Sequence, residues 1–327
     1  MEAMGATEKR GRSLAPNESV TLFMKEWAIL FIFIGLFAAC SIFVDGFFDS
    51  NNIINIVRQI SFLAIIALGQ FFVVLIGGID MSAGSSIGFT SVLLAGLVHW
   101  NDVPIVLAVV IVLGASIAVG FVNGLLAVYG KIPAFIATLV TMIVLKGVNY
   151  LYSNSIPISG LPSGFKVLGA GYVGPIPVPV IILIVIAAVL YVFTMHTATG
   201  RSIYAVGGNE EASRLSGINT NRIKMISFLL GSFLTAIGAI LITSRTMAGQ
   251  PTIGENMLFD VITVVVLGGT SLSGGRGKVI GVVIAALILG IIDNAMVLLG
   301  IGSYWQWIIK GLILAIVVLI DAKTKKE

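Results

Sequence analysis

Residues 103–129 read VPIVLAVVIVLGASIAVGFVNGLLAVY, a run with no Asp, Glu, Lys or Arg. A helix rises about 1.5 Å per residue, and about 20 apolar residues cross the hydrocarbon core of a bilayer. This run is long enough to cross with tilt. The pattern repeats on both sides of it. Apolar stretches over 27–44, 60–79, 82–100, 134–152, 178–195, 225–243, 258–271, 279–292 and 305–320 alternate with polar or Gly- and Pro-bearing gaps. The stretch over 82–100 is short and starts as late as residue 87 on a stricter reading. The stretch over 134–152 follows Pro133, a residue suited to the first helical turn. The pattern predicts an all-α, polytopic transmembrane helix bundle of about ten spans, or eight or nine if the short segments are re-entrant.

Composition agrees. Hydrophobic residues make up 57% of the chain and charged residues 10%, against about 25% charged in soluble proteins. The net charge of +4 is small and its Lys and Arg residues sit in short gaps between apolar runs, so no nucleic-acid partner is expected and lipid is the surrounding medium. Cys40 stands alone inside an apolar stretch, which excludes an intrachain disulfide, and two histidines add no metal constellation. Phe37-Ala38-Ala39-Cys40 resembles a lipoprotein cleavage box. The polar lead-in is too long for a signal peptide and the apolar run continues to Val44, so the segment reads as a retained first span.

The basic residues orient the bundle, because short cytoplasmic loops hold the positive excess. Lys9, Arg10, Arg12 and Lys25 lie before the first span, and Lys323, Lys325 and Lys326 after the last. Both termini are therefore expected in the cytoplasm. Counting from there places Lys131, the loop with Arg201, Arg214, Arg222 and Lys224, and the pair Arg276 and Lys278 inside. The Gly-, Pro- and Ser-rich stretch 153–177, with Lys166 as its single basic residue, falls outside. The implied organisation is a polar cytoplasmic arm over 1–26, a membrane domain over 27–320 with a cytoplasmic loop at 196–224, and a basic cytoplasmic tail over 321–327.

Residues 73–84, VVLIGGIDMSAG, are echoed by residues 265–275, VVLGGTSLSGG, and an Ile-Gly pair follows each, at Ile87-Gly88 and Ile280-Gly281. Both copies run in one direction through the expected topology, as in a parallel repeat. The plainer alternative is that Gly and Ser are common wherever helices break. Leu272-Ser273-Gly274-Gly275 spells the signature of an ATP-binding cassette and Gly277-Lys278 ends like a phosphate loop. That loop needs Gly where Leu272 stands and Ser or Thr where Val279 stands. The segment is also wedged between two spans, so this chain is not expected to hydrolyse ATP. The small residues in Gly84–Gly88, Gly120–Gly124 and Gly277–Gly281 suit close helix packing.

The polar loop carries a capped helix. Asn209 is placed to cap it, Glu210 and Glu211 put negative charge in its first turn, and Gly217 is placed to end it. A helix of about two turns does not persist alone in water. It docks either on its own bundle, as a membrane-surface connector, or on a partner.

At these residues a resemblance emerges. Residues 77–85 (GGIDMSAGS), 132–139 (IPAFIATL), the 205–218 stretch and residues 266–275 (VLGGTSLSGG) together resemble the ribose/xylose/galactose-type permeases of ATP-binding cassette importers, collinearly from about residue 53 to the end. Met81 and Ala83 replace the usual Leu and Val. The resemblance implies a multi-pass protein of the bacterial cytoplasmic membrane that is no enzyme and uses no cofactor. It implies a second permease subunit, identical or paralogous, a cytoplasmic ATPase and an extracytoplasmic sugar-binding protein. The ATPase would dock on the loop with Gly207, Gly208, Asn209, Glu210, Glu211, Arg214, Leu215 and Gly217.

Polar residues inside spans are costly in lipid and turn toward a bundle interior or a pore. Gln70, Asn123, Thr138, Thr141, Asn149, Thr263 and Asn294 are the candidate translocation-path residues, since neutral amides and hydroxyls suit a sugar. Lys146, Asp260, Asp293, Gln306 and Lys310 are further polar residues in spans, and the two lysines either snorkel or pair with a carboxylate. Rival readings are an ion-coupled secondary transporter or channel, which calls for carboxylates in mid-span, a permease for nucleosides or branched-chain amino acids, and a receptor or structural membrane protein.

Overall fold

The computed structural model describes residues 16–324, with side chains from 28 to 323. Lys9, Arg10 and Arg12 of the arm, and Lys325 and Lys326 of the tail, lie outside the described residues. The helices are α1 (Pro16–Phe43), α2 (Ser50–Leu75), α3 (Ala83–His99), α4 (Ile105–Gly124), α5 (Ala134–Ser153), α6 (Lys166–Ala170), α7 (Val178–His196), α8 (Ala198–Gly208), α9 (Glu210–Leu215), α10 (Thr220–Thr246), α11 (Met257–Leu267), α12 (Val279–Leu298) and α13 (Ser303–Thr324). Helix α4 runs on through a π-helical turn, Leu125–Tyr129. Four two-residue strands form two short antiparallel pairs: β1 (Ile158–Ser159) with β4 (Ala248–Gly249), and β2 (Tyr172–Val173) with β3 (Ile176–Pro177).

Among the described residues seven helices are long and apolar enough to cross a membrane: α2, α4 with its π-helical turn, α5, α7, α10, α12 and α13. Three shorter apolar helices accompany them, at Ala28–Phe43, Ala83–His99 and Met257–Leu267. Each expected span thus meets a helix. Helix α2 is the central pillar and packs against α10, α12, α11 and α7. Its residues from Ile60 to Leu75 are buried. A β-carbon at Gly69 would lie 2.7 Å from the carbonyl oxygen of Gly231, so the α2 and α10 backbones meet where neither has a side chain. The outer helices turn apolar side chains outward, as with Val106, Val144, Val189 and Leu312. In water such a surface is untenable, and in lipid it is the required one.

Two boundaries differ from the sequence reading. The second span begins at Ser50, because Asp49 accepts a hydrogen bond from the Asn51 amide at 2.8 Å and starts the helix inside a polar stretch. It ends at Leu75 because Gly77 adopts φ +77°, with Gly77 N donating to Val74 O at 2.9 Å and Gly78 N to Val73 O at 3.0 Å. Helix α11 ends in the same way: Gly269 has φ +80°, its amide donates to Val266 O at 2.9 Å, and Thr270 N donates to Val265 O at 3.2 Å. The two echoed sequences build the same left-handed glycine cap.

Hydrogen bonds sort the connections into two ends. At one end Gly275 N donates to Leu75 O at 2.8 Å and Tyr204 OH to Gly277 O at 3.0 Å, which joins the breaks after α2 and α11 to α8. Lys131, Arg201, Arg214, Arg222, Lys224, Arg276 and Lys278 sit in the connections at this end or beside them. At the other end β1 pairs with β4, Trp100 lies 5.3 Å from the Tyr152 ring, and Gly169 N donates to Ser244 Oγ at 2.7 Å. Exposed Tyr304, Trp305 and Trp307 begin α13 just after the 299–302 turn, as aromatic residues do at a membrane boundary. The basic end is called inner and the opposite end outer.

Candidate functional site

The inner end carries a rigid mount and an exposed helix. Helix α8 lies within the stretch 196–224 and was not anticipated. Its small residues, Ala, Gly and Ser, left no apolar period to read. Thr197 caps it, accepting from Gly200 N at 3.0 Å. At its far end Gly207 lies against the Leu75 carbonyl, with Gly275 N 2.6 Å from where a β-carbon would stand. Only a glycine allows three backbone segments to meet there. Gly208 beside it faces open space.

Helix α9 follows with the expected caps. Asn209 Oδ1 accepts from Ala212 N at 2.9 Å. Gly217 takes φ +84°, with Gly217 N donating to Arg214 O and Ile218 N to Ser213 O, both at 3.0 Å. Glu211 pairs with Arg214 in two contacts of 2.7 and 2.8 Å, and Glu210 pairs with Lys224 on α10. The buried face of α9 carries Ser213, 5% exposed, while Leu215 is 80% exposed and Glu211 and Arg214 are exposed as well. A short helix thus stands pinned at its base and presents a leucine to whatever lies beyond.

The second feature is a stretch of non-helical backbone inside the bundle. Between β4 and α11 the chain runs along α3 against its direction: Gly249 lies against Ser91 and Ala95, Pro251 against Gly88, and Gly254 against Gly84 and Ile87. Gln250 N donates to Ser91 Oγ at 3.1 Å. Irregular backbone at membrane depth is tolerated only where protein buries it or a cavity hydrates it. At its lower end Glu255 meets α5. Lys146 Nζ lies 2.9 Å from Glu255 Oε1, and Tyr150 OH donates to the same oxygen at 3.1 Å. The Lys146 and Glu255 side chains are 49% and 36% exposed, although Lys146 stands about 10 Å inside the outer end of α5 at a helical rise of about 1.5 Å per residue. Half-exposed charges at that depth point to water or to another subunit, not to lipid. Glu255 was missed in the sequence because it lies outside every apolar run.

Of the seven candidate path residues, Asn149 lies beside this stretch, against Gly88 where Pro251 also packs. Thr138 is buried and staples the break before α3, accepting from Met81 N at 2.9 Å and donating toward Ile79 O at 3.1 Å. Asn123, also buried, donates to Ser82 Oγ at 2.8 Å, and Ser82 Oγ donates to Asp80 at 2.6 Å. Asn149 donates to Ser85 O at 2.9 Å and its Oδ1 is an unpartnered buried atom, as is Asn123 Oδ1. Gln70 is buried on α2 with its Nε2 unpartnered. Thr141 lines an apolar groove of about 330 Å³ between α4 and α5, and Thr263 donates back to Phe259 O at 2.7 Å. Asn294 exchanges hydrogen bonds with Asn52 at 2.7 and 3.0 Å. Asn123, Thr138 and Asn149 come together around the start of α3; the other four are dispersed. Lys310 bridges Asp260 at 2.8 Å and Asp293 at 2.9 Å, so it pairs with carboxylates rather than snorkelling, and the two carboxylates share one cation. Gln306 donates to Ile301 O at 2.7 Å and caps the turn before α13.

The description "Branched-chain amino acid transport system / permease component" belongs to the family model that matches residues 52–318. The ribose import permease protein of Haemophilus influenzae is 43% identical over 309 residues, covering 93% of this chain and 95% of that one. Its namesake in Bacillus subtilis is 42% identical over 296 residues, covering 89% and 92%. The galactose/methyl galactoside import permease protein of Escherichia coli is 33% identical over 324 residues, covering 94% and 96%. No solved structure matches the chain.

Proposed function

Since the chain belongs to the branched-chain amino acid transport system / permease component family, we propose a reading of its work in which α9 is the point where force enters the bundle. The protein is the transmembrane permease subunit of an ATP-binding cassette sugar importer, a multi-pass protein of the bacterial cell membrane. Within that family the solute is a sugar and not an amino acid, because ribose import permeases match at 40–43% identity over almost the whole chain. Ribose or a similar monosaccharide is the substrate we propose.

The observation that carries the coupling role is Leu215, 80% exposed on a six-residue helix whose base is locked into backbone. The ATPase subunit receives α9 with Leu215, Glu210, Glu211 and Arg214. Movement of α9 is handed through α8 to the end of α2 and to the turn at Gly274 and Gly275, because those segments touch through backbone and leave no slack. The two glycine-capped breaks are where the helices pivot. Ten spans and cytoplasmic termini complete the arrangement, with 153–177 facing the sugar-binding protein. A second permease subunit, identical or paralogous, closes the passage. In this reading the passage runs beside 248–256, and the Lys146–Glu255–Tyr150 group offers donors and acceptors to sugar hydroxyls while staying neutral as a pair. Buried Asn123, Thr138 and Asn149 hold the wall behind it, around the start of α3. Alternating access arises as the nucleotide state shifts the population between inward- and outward-open forms.

Reconstitution tests this reading. Proteoliposomes with the permease, its ATPase and the sugar-binding protein are expected to take up labelled ribose only with ATP. Liposomes with this chain alone under a proton or sodium gradient are expected to take up none, and uptake there would overturn the importer reading.

A further inference from the structure

Near the outer end, the guanidinium group of Arg58 on α2 and that of Arg245 on α10 lie against successive turns of α2. Arg58 stands two turns inside the start of α2 and is only 8% exposed. Its Nη1 donates to Asn55 Oδ1 at 3.2 Å, and its plane lies under the Tyr172 ring, 4.8 Å from the centroid. Its Nε and Nη2 are buried without a partner. Arg245, in the last turn of α10, lies over Phe62, one turn further along α2, at 5.7 Å. Phe62 follows Arg58 by one helical turn, about 5.4 Å of rise, so the two cations stand along one strip of α2. Among the described residues neither enters an ion pair, and Arg245 donates no hydrogen bond. Like charges held together, one with two buried N–H donors unmet, require compensation. Water satisfies the donors but leaves the charge. An anion satisfies both.

We propose that Arg58 and Arg245 form a phosphate-binding cradle occupied by the phosphodiester of an outer-leaflet phospholipid. Guanidinium groups present paired, planar donors that match phosphate oxygens. The loop that covers the pair carries apolar side chains outward: Val167, Tyr172, Val173 and Ile176 are 55%, 52%, 62% and 45% exposed. Such side chains beside a buried cation pair suit the boundary where headgroup meets acyl chain. Tyr172 then acts as the lid, stacked on Arg58 with its flanking residues in lipid.

The test uses the full-length protein in detergent. Bound phosphorus is counted after purification, and thermal unfolding is followed with phosphatidylglycerol, with a glycolipid of the same acyl chains, and with inorganic phosphate at matched ionic strength. Phosphatidylglycerol is expected to raise the midpoint by about 3 °C or more, and the glycolipid and free phosphate are not. Arg245→Gln, at a half-buried position, and Arg58→Gln are each expected to remove at least half of that rise and to lower the phosphorus count. If Arg58→Gln does not fold, Arg245→Gln and the unmodified protein decide. An absent rise, a rise equal in the variants, or a rise given equally by the glycolipid overturns the cradle. A rise given by free phosphate alone overturns the lipid as its source. Loss of sugar-binding-protein association in the variants, with no bound phosphorus in the unmodified protein, would assign the pair to that partner instead.

Discussion

The carbonyl oxygen of Leu75 lies so close to Gly207 that no β-carbon fits between them. The last residue of the central helix therefore touches, through bare backbone, the helix that carries α9. Gly208, the next residue, has open space around it. The pair makes an internal control. Gly207→Ala is expected to cost about 1–3 kcal/mol, as overpacking does, and to depress ATP-driven uptake. Gly208→Ala is expected to leave both unchanged. Thermal unfolding and reconstituted uptake check this; equal effects at the two positions would remove the mount from the mechanism.

Leu215 is 80% exposed, so Leu215→Asp is expected to change the permease's own stability by no more than about 0.5 kcal/mol. In the complex the same change puts an unpaired charge into a desolvated contact. Retention of the ATPase on purification is expected to fall about tenfold or more, with uptake falling alongside. Undiminished ATPase retention would make α9 a membrane-surface connector.

Orientation is tested by thiol labelling in intact cells. Ser159 in the 153–177 stretch and Ser216 after α9 are both exposed, whereas Ser213 is 5% exposed and unsuited as a reporter. In a Cys40→Ala background, an impermeant maleimide is expected to label Ser159→Cys and to spare Ser216→Cys until the cells are opened. Labelling of Ser216→Cys from outside would invert the topology.

Lys146 and Glu255 stand 2.9 Å apart. Glu255→Gln strands an ammonium at membrane depth and is expected to reduce uptake by about tenfold while leaving ATPase association intact. The exchanged pair, Lys146→Glu with Glu255→Lys, is expected to recover part of that loss. If Glu255→Gln transports normally, the passage lies elsewhere than beside 248–256.

Much of this fold is local and was legible in one dimension. An apolar run in lipid needs only length, so each of the ten stretches became a helix whatever its neighbours. Caps are equally local: Asn209 and Gly217 act on backbone groups within a few residues, and the start and stop of α9 follow from them. The echo of 73–84 in 265–275 was readable for the same reason, since Gly77 and Gly269 close their helices with bonds that reach back no further than five residues.

The tertiary structure decided where polar atoms go. Thr138, Asn123 and Asn149 look in sequence like groups awaiting a sugar. Their partners, at Ile79, Ser82 and Ser85, come from the break before α3 and from its first turn, and leave the Oδ1 atoms of Asn123 and Asn149 unmet. Glu255 looks like a loop residue. It meets Lys146 only because the chain after β4 runs back along α3 into the bundle. Helix α8 has no apolar period to announce it and owes its position to a glycine that lets its backbone touch Leu75. The sequence determined which segments enter the membrane, because that depends on side chains taken one run at a time. The structure decided which polar groups inside it are paired, because that depends on whether each donor finds an acceptor elsewhere in the chain.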